Sequence, residues 1–443
     1  MSLKKGIFYT FLTQVPTLLL FFISSTLMTR LLGDEGRGAY ALLTNLVALL
    51  SMLLGLNTGL GLTFFTSRNN APDRTIVGTG ATMFLFVMFM APIILYLLYS
   101  VKGLREVFMP LDTAHWGYYA YVYVSMMLAT INSTVAAILL GTKKFKALNL
   151  MSILNAALSA GSFMLLYLLE GDHASEGMLR SVLGISLAAQ GLISLGWIFL
   201  YVIMVRIPPI PITAWKELEP LITFSLIGHL SNLINLINYR FDIWVVDSYH
   251  GTAALGLYAV AVGIGQLLFY VPEPFARVVQ PYLYGERSNE MLQRFKAVAR
   301  VNFSVVLILA LFLAIIARWI VPFLFGSVFS GSVLALQLLL PGVVFSAAFK
   351  LLVQLVIQAN GQRFNLYATI VGALVTIILD FVLIPVHGIA GAAIASTLSY
   401  LSILLVVLGV IRFKLHIPVH DLFLIHRSDI ERLQNSVSWR MSG

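Results

Sequence analysis

Apolar runs long enough to cross a lipid bilayer recur from one end of this sequence to the other. A helix needs about 20 apolar residues to span the hydrocarbon core, and on that rule the chain holds about 12 spans. Charged residues make up 11% of its 443 residues and hydrophobic residues 59%, whereas a soluble domain has about 25% charged residues. The sequence therefore predicts an all-α polytopic membrane protein.

The predicted spans form two groups of six, joined by a proline-rich link. They cover 7–32, 40–66, 77–101, 116–140, 148–169, 181–205, 221–248, 252–284, 297–321, 333–359, 364–385 and 388–411. We therefore predict an N-terminal lobe at 1–206, a linker at 207–220, a C-terminal lobe at 221–412 and a tail at 413–443. Ser428 and Glu431 fit a helix capping box, so the tail forms either a short helix on the membrane surface or an irregular end.

A glycine-rich stretch occurs twice, at a spacing close to half the chain length. G-D-E-G-R-G-A-Y-A at 33–41 and G-T-A-A-L-G-L-Y-A at 251–259 share two glycines, a tyrosine and an alanine at a shift of 218 residues. A Lys-Phe pair at 144–145 matches an Arg-Phe pair at 363–364 at a shift of 219. Two repeated patterns at nearly the same spacing indicate an internal duplication. Because each half has an even number of spans, we expect two parallel repeats in the membrane.

Lysine and arginine residues are concentrated in one of the two sets of loops between the spans. The loops on the side of Lys4 and Lys5 hold more than twice as many lysine and arginine residues as the loops on the opposite side, which include Arg37 and Lys102. Cytoplasmic loops carry this excess, so we predict that both termini lie in the cytoplasm. The formal net charge of +9 comes from these short clusters, and nucleic acid is therefore not a predicted partner.

The seventh predicted span carries a polar face too broad to lie against lipid. Its polar residues fall outside one apolar arc of the helical wheel; they are Ser225, His229, Ser231, Asn232, Asn235, Asn238, Arg240 and Asp242. Unsatisfied polar groups are costly in hydrocarbon, so this face is expected to line protein or a water-filled cavity. The first span has a similar face, and Gln14 corresponds to Asn232 at the shift of 218. The two halves are thus expected to line a central cavity.

Charged residues within the spans are the strongest candidates for a binding site. An ionisable group at membrane depth costs at least ~2.5 kcal/mol unless it is solvated or paired. Arg240 and Lys350 are therefore either members of buried ion pairs or cations that face a ligand. Asp242 does not face Arg240, because residues two apart on a helix point apart, and Asp380 is a candidate partner for Arg240. Gln354 continues the polar stripe one turn beyond Lys350.

Two further polar residues in the spans are candidates for the site. Arg277 follows Glu273 at i+4 beside prolines, which favours a structural pair at a kinked helix over a ligand contact. For His229 a packing role is favoured over a proton relay. A cavity with embedded cations and few carboxylates suits an anion such as phosphate or pyrophosphate.

Catalytic and cofactor motifs are missing from the sequence. It has no P-loop and no H-E-x-x-H helix, and it has no cysteine for a thiolate metal site. The glycine-rich G-L-N-T-G-L-G at 55–61 lies within an apolar span and is interpreted as helix packing or kinking. We therefore predict no cofactor, no metal and no enzymatic activity.

Three stretches resemble one transporter family. They are L-L-G-D-E-G-R-G-A-Y-A at 31–41, Y-R-F-D-I-W at 239–244 and L-I-P-V-H-G-I-A-G-A-A-I-A-S at 383–396. In order and spacing they are similar to the polysaccharide-type transporters of the multidrug/oligosaccharidyl-lipid/polysaccharide exporter superfamily. Asp380 departs from this pattern, since asparagine is more usual before the third motif.

The resemblance implies a fold and a function. The fold is two six-helix lobes that form a V around a central cavity and work by alternating access. The function is to flip undecaprenyl-diphosphate-linked oligosaccharide across the bacterial cytoplasmic membrane for O-antigen, capsule or exopolysaccharide synthesis. Its partners are the polyprenyl-diphosphate-linked glycan, membrane lipid, and the polymerases or glycosyltransferases of the same process.

Two alternatives remain open from the sequence. A cation-coupled multidrug exporter of the same superfamily would have the same fold, although that branch typically relies on a carboxylate within its first lobe, and none is found here. A membrane enzyme of glycan synthesis would need a large catalytic loop, which the sequence lacks.

Overall fold

The computed structural model describes residues 3–69, 72–109, 116–171, 177–272, 289–359 and 362–423, and the side chains of the first helix from Val15 onward. Helices make up almost all of this part of the chain, and no strand occurs in it. The helices are α1 Leu3–Gly55, α2 Thr58–Asn69, α3 Arg74–Ser100, α4 Lys102–Phe108, α5 Trp116–Gly141, α6 Phe145–Glu170, α7 Met178–Met204, α8 Trp215–Leu267, α9 Asn289–Phe325, α10 Ser332–Gln358 and α11 Gln362–Phe413. Short 3-10 turns lie at Leu268–Tyr270, Ser327–Gly331 and Val419–Leu422.

Three of these helices are hairpins that turn at a single glycine. Helices α1, α8 and α11 contain Gly33 (φ 64°), Gly251 (φ 80°) and Gly388 (φ 57°), each in a backbone conformation that favours glycine. A straight helix of 52 residues would be about 78 Å long, well beyond the ~30 Å hydrocarbon core. In α11 the Thr376 hydroxyl donates to the Ser399 hydroxyl at 2.8 Å, although 23 residues separate them, so the chain has reversed between them.

The number of membrane crossings agrees with the sequence. Within the described residues nine helices are long and apolar enough to cross a membrane, and α1, α8 and α11 are each long enough to cross twice. The predicted all-α fold with about 12 spans is confirmed.

The second predicted span, 40–66, is not continuous. Leu56 and Asn57 have positive φ angles of 47° and 54°, and they separate the end of α1 from α2. The glycine-rich stretch at 55–61 therefore marks a kink, as its sequence indicated. The eighth predicted span, 252–284, is helical to Leu267, and its remainder from residue 273 lies outside the described residues.

The glycine turns lie close together, and we call this side of the bundle the glycine end. His250, beside the turn of α8, bonds through Nε2 to the carbonyl oxygen of Ile384, near the turn of α11, at 2.6 Å. Asp34, beside the turn of α1, packs against Gly256 of α8. The opposite side is the linker end, since consecutive crossings alternate and the segment between α7 and α8 lies there.

The segment between α7 and α8 is fixed to α3. The Ile212 amide donates to Thr82 Oγ1 at 2.8 Å, and the Thr82 hydroxyl donates to the Ile212 carbonyl at 2.7 Å. Gly78 allows this contact, because a Cβ there would lie 2.7 Å from the Ile210 carbonyl oxygen. Helix α8 begins at Trp215, so the last residues of the predicted linker 207–220 are helical.

The chain beyond α11 folds back onto α9. Lys296 Nζ lies 2.9 Å from Asp421 Oδ2, and Arg300 donates to the Asp421 carbonyl at 2.6 Å. Leu422 is buried beside them, and the Phe423 ring packs edge-on against Phe303. The predicted capping box at 428–431 lies outside the described residues.

Candidate functional site

A cavity of about 410 Å³ lies between the second half of α1, both halves of α8, and α10. Its lining combines two cations, three side-chain amides, two aromatic residues and two aliphatic residues. They are Met52, Asn232, Asn235, Leu236, Tyr239, Arg240, Gln266, Phe269 and Lys350. Four of the residues predicted for the site, Asn232, Asn235, Arg240 and Lys350, are thus brought to one cavity.

Helical periodicity explains the wall that α8 contributes. Asn232, Asn235, Leu236, Tyr239 and Arg240 occupy positions i, i+3, i+4, i+7 and i+8, which lie on one face of a helix. A single regular helix therefore presents an ordered row of two amides, a phenol and a guanidinium to the cavity. No backbone distortion is needed to place them.

Lys350 is held against an aromatic ring on the cavity wall. Its Nζ lies 3.9 Å from the centre of the Phe269 ring. An ammonium over an aromatic face gains about 0.5–2 kcal/mol, which helps to keep a cation within the membrane.

Asp242 lies in a buried polar cluster of α8 and α11 and is not among the cavity residues. The Tyr258 hydroxyl donates a hydrogen bond to Asp242 Oδ2, and the Ser396 hydroxyl donates to the same oxygen at 3.2 Å. Asp242 Oδ1 has no hydrogen-bond partner among the described residues. Asp242 therefore packs with its own hairpin and with α11.

The predicted pairing of Asp380 with Arg240 is not found. Among the described residues no ion pair within 4.0 Å joins them, and Asp380 instead interacts electrostatically with Asp242. Asp380 is fully buried, and neither of its carboxylate oxygens has a hydrogen-bond partner in the described structure. The reason is the helical rotation of about 200° between Arg240 and Asp242, which turns Arg240 to the cavity while α11 packs on the Asp242 side.

The remaining predicted residues lie elsewhere or outside the described part. His229 is buried on α8, and neither it nor Gln354 on α10 is among the residues that line the cavity. The side chain of Gln14, the whole of Arg277 and the predicted pair of Arg277 with Glu273 lie outside the described residues.

Sequence reasoning missed Arg37 and the aromatic residues of the cavity. Arg37 lies on α1 one turn beyond Gly33, and its guanidinium interacts repulsively with that of Arg240. Its Nε is buried with no hydrogen-bond partner among the described residues. The sequence pattern places Arg37 in a loop because the apolar run ends before it, although its position inside the repeated glycine stretch is a signal. Tyr239 could have been found from its spacing to Asn235 and Asn232.

Residues 3–284, well over half of the chain, match the family described as polysaccharide biosynthesis protein. This chain belongs to that family. The resemblance found in its motifs is therefore confirmed, whereas no curated protein matches the sequence.

Solved structures similar to this polysaccharide biosynthesis family member are transporters and flippases. The lipid II flippase MurJ in an inward closed conformation has a TM-score of 0.73 at 13% identity, covering 94% of this chain and 89% of that one. An inward-facing multidrug resistance MATE family transporter of the MOP superfamily has a TM-score of 0.67 at 15% identity, covering 88% and 93%. An outward-facing MATE family transporter has a TM-score of 0.57 at 15% identity, covering 94% and 96%. The fold is thus that of this superfamily.

Proposed function

We propose that this protein is a flippase that moves polyprenyl-diphosphate-linked oligosaccharide repeat units across the bacterial cytoplasmic membrane. The proposal is carried by one observation: Arg240 and Lys350 line the same cavity in a member of the polysaccharide biosynthesis family. The likeness of its fold to a lipid II flippase supports the same conclusion. The product would serve O-antigen, capsule or exopolysaccharide synthesis, with polymerases or glycosyltransferases as partners.

The cavity chemistry fits a diphosphate that carries sugars. The guanidinium of Arg240 can donate two parallel hydrogen bonds to phosphate oxygens, and the ammonium of Lys350 adds a compact charge. Asn232 and Asn235, one turn apart on α8, offer donors and acceptors to sugar hydroxyls. A carboxylate would repel the diphosphate, and none is among the residues that line the cavity.

The lipid tail of such a substrate would stay in the bilayer. A second cavity of about 210 Å³, lined mainly by apolar residues of α1 and α8, lies between the first half of α1 and the second half of α8. It shares Gln266 with the cationic cavity. We propose that the head group enters the protein here while the polyprenyl chain remains in lipid.

Transport would proceed by alternating access between two lobes, 1–206 and 221–412. The structure is more similar to inward-facing than to outward-facing MATE transporters, with TM-scores of 0.67 and 0.57. With the positive-inside topology, the glycine end is the outer end and both termini are cytoplasmic. The segment fixed to α3 would move with the first lobe, which places the hinge near the start of α8.

The test is mass spectrometry of polyprenyl-diphosphate lipids from cells depleted of the protein, together with measurement of surface polysaccharide. We expect a complete lipid-linked repeat unit to accumulate while surface glycan is lost. Unchanged lipids and unchanged glycan, with new sensitivity to cationic dyes, would instead support a drug exporter and reject the flippase.

A further inference from the structure

The two copies of the glycine stretch contact each other in a symmetric way. A Cβ built on Gly38 would lie 1.8 Å from the Thr252 carbonyl oxygen, and one built on Gly256 would lie 1.8 Å from the Asp34 carbonyl oxygen. The shift of 218 residues that relates Gly38 to Gly256 also relates Asp34 to Thr252. The contact is therefore reciprocal: the glycine of each stretch packs against the backbone carbonyl at the start of the other stretch. We call this contact between 33–41 and 251–259 the glycine seal.

Only glycine is compatible with this contact. Cβ atoms essentially never approach another heavy atom within 3.0 Å, so an alanine at either position must separate the two helices by about 1 Å. The neighbouring atoms belong to the backbone and cannot rotate away as a flexible side chain could. Small residues commonly allow such close helix approach in membranes.

The seal closes the bundle beyond the cationic cavity. Gly38 and Gly256 each lie five residues beyond a hairpin turn, at Gly33 and Gly251. Arg240 lies 11 residues before Gly251 on the same hairpin, about 16 Å along the helix. The glycine seal therefore lies at the glycine end of the bundle and separates the cavity from the space beyond that end.

Arg30 forms hydrogen bonds that join the two halves of the chain at the glycine end, in addition to the glycine seal. Its Nε donates to the Leu324 carbonyl and its Nη2 to the Phe323 carbonyl, both at 2.6 Å. These carbonyls belong to the last turn of α9, where a cation is favoured by the unpaired carbonyl groups and the helix dipole. Arg30 thus fastens α1 to α9 beside the seal.

We propose that Gly38 and Gly256 are positioning residues that set the equilibrium between the sealed and the open glycine end, with Arg30 stabilising the sealed state. This inference rests on the alternating-access part of the proposed function and assigns that step to named residues. Alanine at either glycine strains only the sealed state, because the contact is lost once the halves separate. The population must then shift toward the open state without loss of fold.

The chain has no cysteine, so a pair of spin labels can be placed without removing native residues. Lys102 of α4 and Val328 of the turn after α9 are exposed, at 80% and 57%, and lie at the glycine end in different halves. The label distance would be measured in liposomes on Lys102→Cys/Val328→Cys, alone and with Gly38→Ala or Gly256→Ala. Overpacking strains the sealed state by roughly 1–3 kcal/mol, so we expect the ratio of open to sealed molecules to rise about fivefold or more.

Gly184→Ala is the matched control. Gly184 lies within α7, away from both cavities, and a Cβ there meets nothing within 4 Å. We expect it to leave the distance distribution unchanged. The inference is overturned if Gly38→Ala and Gly256→Ala give the distribution of the control while remaining monodisperse and folded.

Arg30→Gln keeps the test decisive if the alanine variants do not fold. It removes the charged donor without a steric clash, and we expect it to raise the open population in the same direction, with Arg30→Lys closer to the parent. An unchanged distribution in Arg30→Gln overturns the role of Arg30. These distances are measured without substrate, so they are independent of the lipid analysis that tests the flippase.

Discussion

Tyr258 donates a hydrogen bond to Asp242 across the hairpin turn at Gly251. The bond fixes the carboxylate on the side of α8 that packs inside the protein, where Ser396 of α11 also reaches it. Arg240, two residues earlier on the same helix, is rotated by about 200° from Asp242 and lines the cavity. The helix period thus separates the buried carboxylate from the main candidate for substrate binding.

Replacement of Arg240 by alanine is expected to abolish export while the protein remains in the membrane, because the bidentate phosphate donor is lost. Arg240→Lys should retain only part of the activity, since an ammonium cannot donate in the same planar geometry. The measurement is surface polysaccharide together with the level of lipid-linked repeat units. Arg318→Ala, at an exposed arginine of α9, is the control for loss of a positive charge. Normal export in Arg240→Ala contradicts the assignment.

Lys350→Met removes the ammonium but keeps a long apolar side chain beside Phe269. We expect weaker binding of a diphosphate probe by tenfold or more, since a charged hydrogen bond is worth about 1.5–3 kcal/mol. Phe269→Leu, which removes only the ring under the ammonium, should weaken binding less, by about 0.5–2 kcal/mol. Titration of the purified protein with farnesyl diphosphate would rank the two. A larger effect in Phe269→Leu than in Lys350→Met would be inconsistent with a ligand-facing ammonium.

Asp380→Asn is expected to raise the thermal stability of the protein. The substitution removes one of two interacting buried carboxyl groups and leaves an amide of nearly the same shape. Asp242→Asn should have the opposite effect and cost about 1–3 kcal/mol, because Tyr258 and Ser396 lose a charged acceptor. Thermal unfolding in detergent measures both. Equal destabilisation by the two substitutions would show that Asp380 has a stabilising partner.

Asp421→Ala is expected to destabilise the second half of the chain. The Lys296 side chain is 8% exposed and the Asp421 side chain 28% exposed, so we expect a cost between the ~1 kcal/mol of an exposed ion pair and the ~3–5 kcal/mol of a fully buried one. The control is Glu290→Ala, which breaks the pair of Glu290 with Arg294, whose side chains are 72% and 64% exposed. That loss should be at most about 1 kcal/mol. Unfolding midpoints that fall equally in the two variants would contradict a structural role for the 417–423 segment.

The crossings, the polar face of α8 and the family could be predicted because each depends on local properties of the chain. The length of an apolar run fixes whether a helix crosses the bilayer, and the period of 3.6 residues fixes which residues share a face. By this period the sequence predicts that Asn232, Asn235 and Arg240 lie on one face of α8. Lys350 was singled out by the cost of a charge at membrane depth.

The partners of these residues were decided by the tertiary structure alone. Asp380 interacts electrostatically with Asp242 and, in the part of the chain that the structure describes, forms no ion pair with Arg240. This could not be predicted, because the rotation of α11 against α8 cannot be read from either helix by itself. Arg37 comes within electrostatic range of Arg240 because the hairpin at Gly33 folds back toward α8. The sequence by itself determined which segments are helices and which faces are polar, since both follow from neighbours along the chain. The close contact of Gly38 with Thr252 depends on the packing of helices more than 200 residues apart, and only the folded chain brings them together.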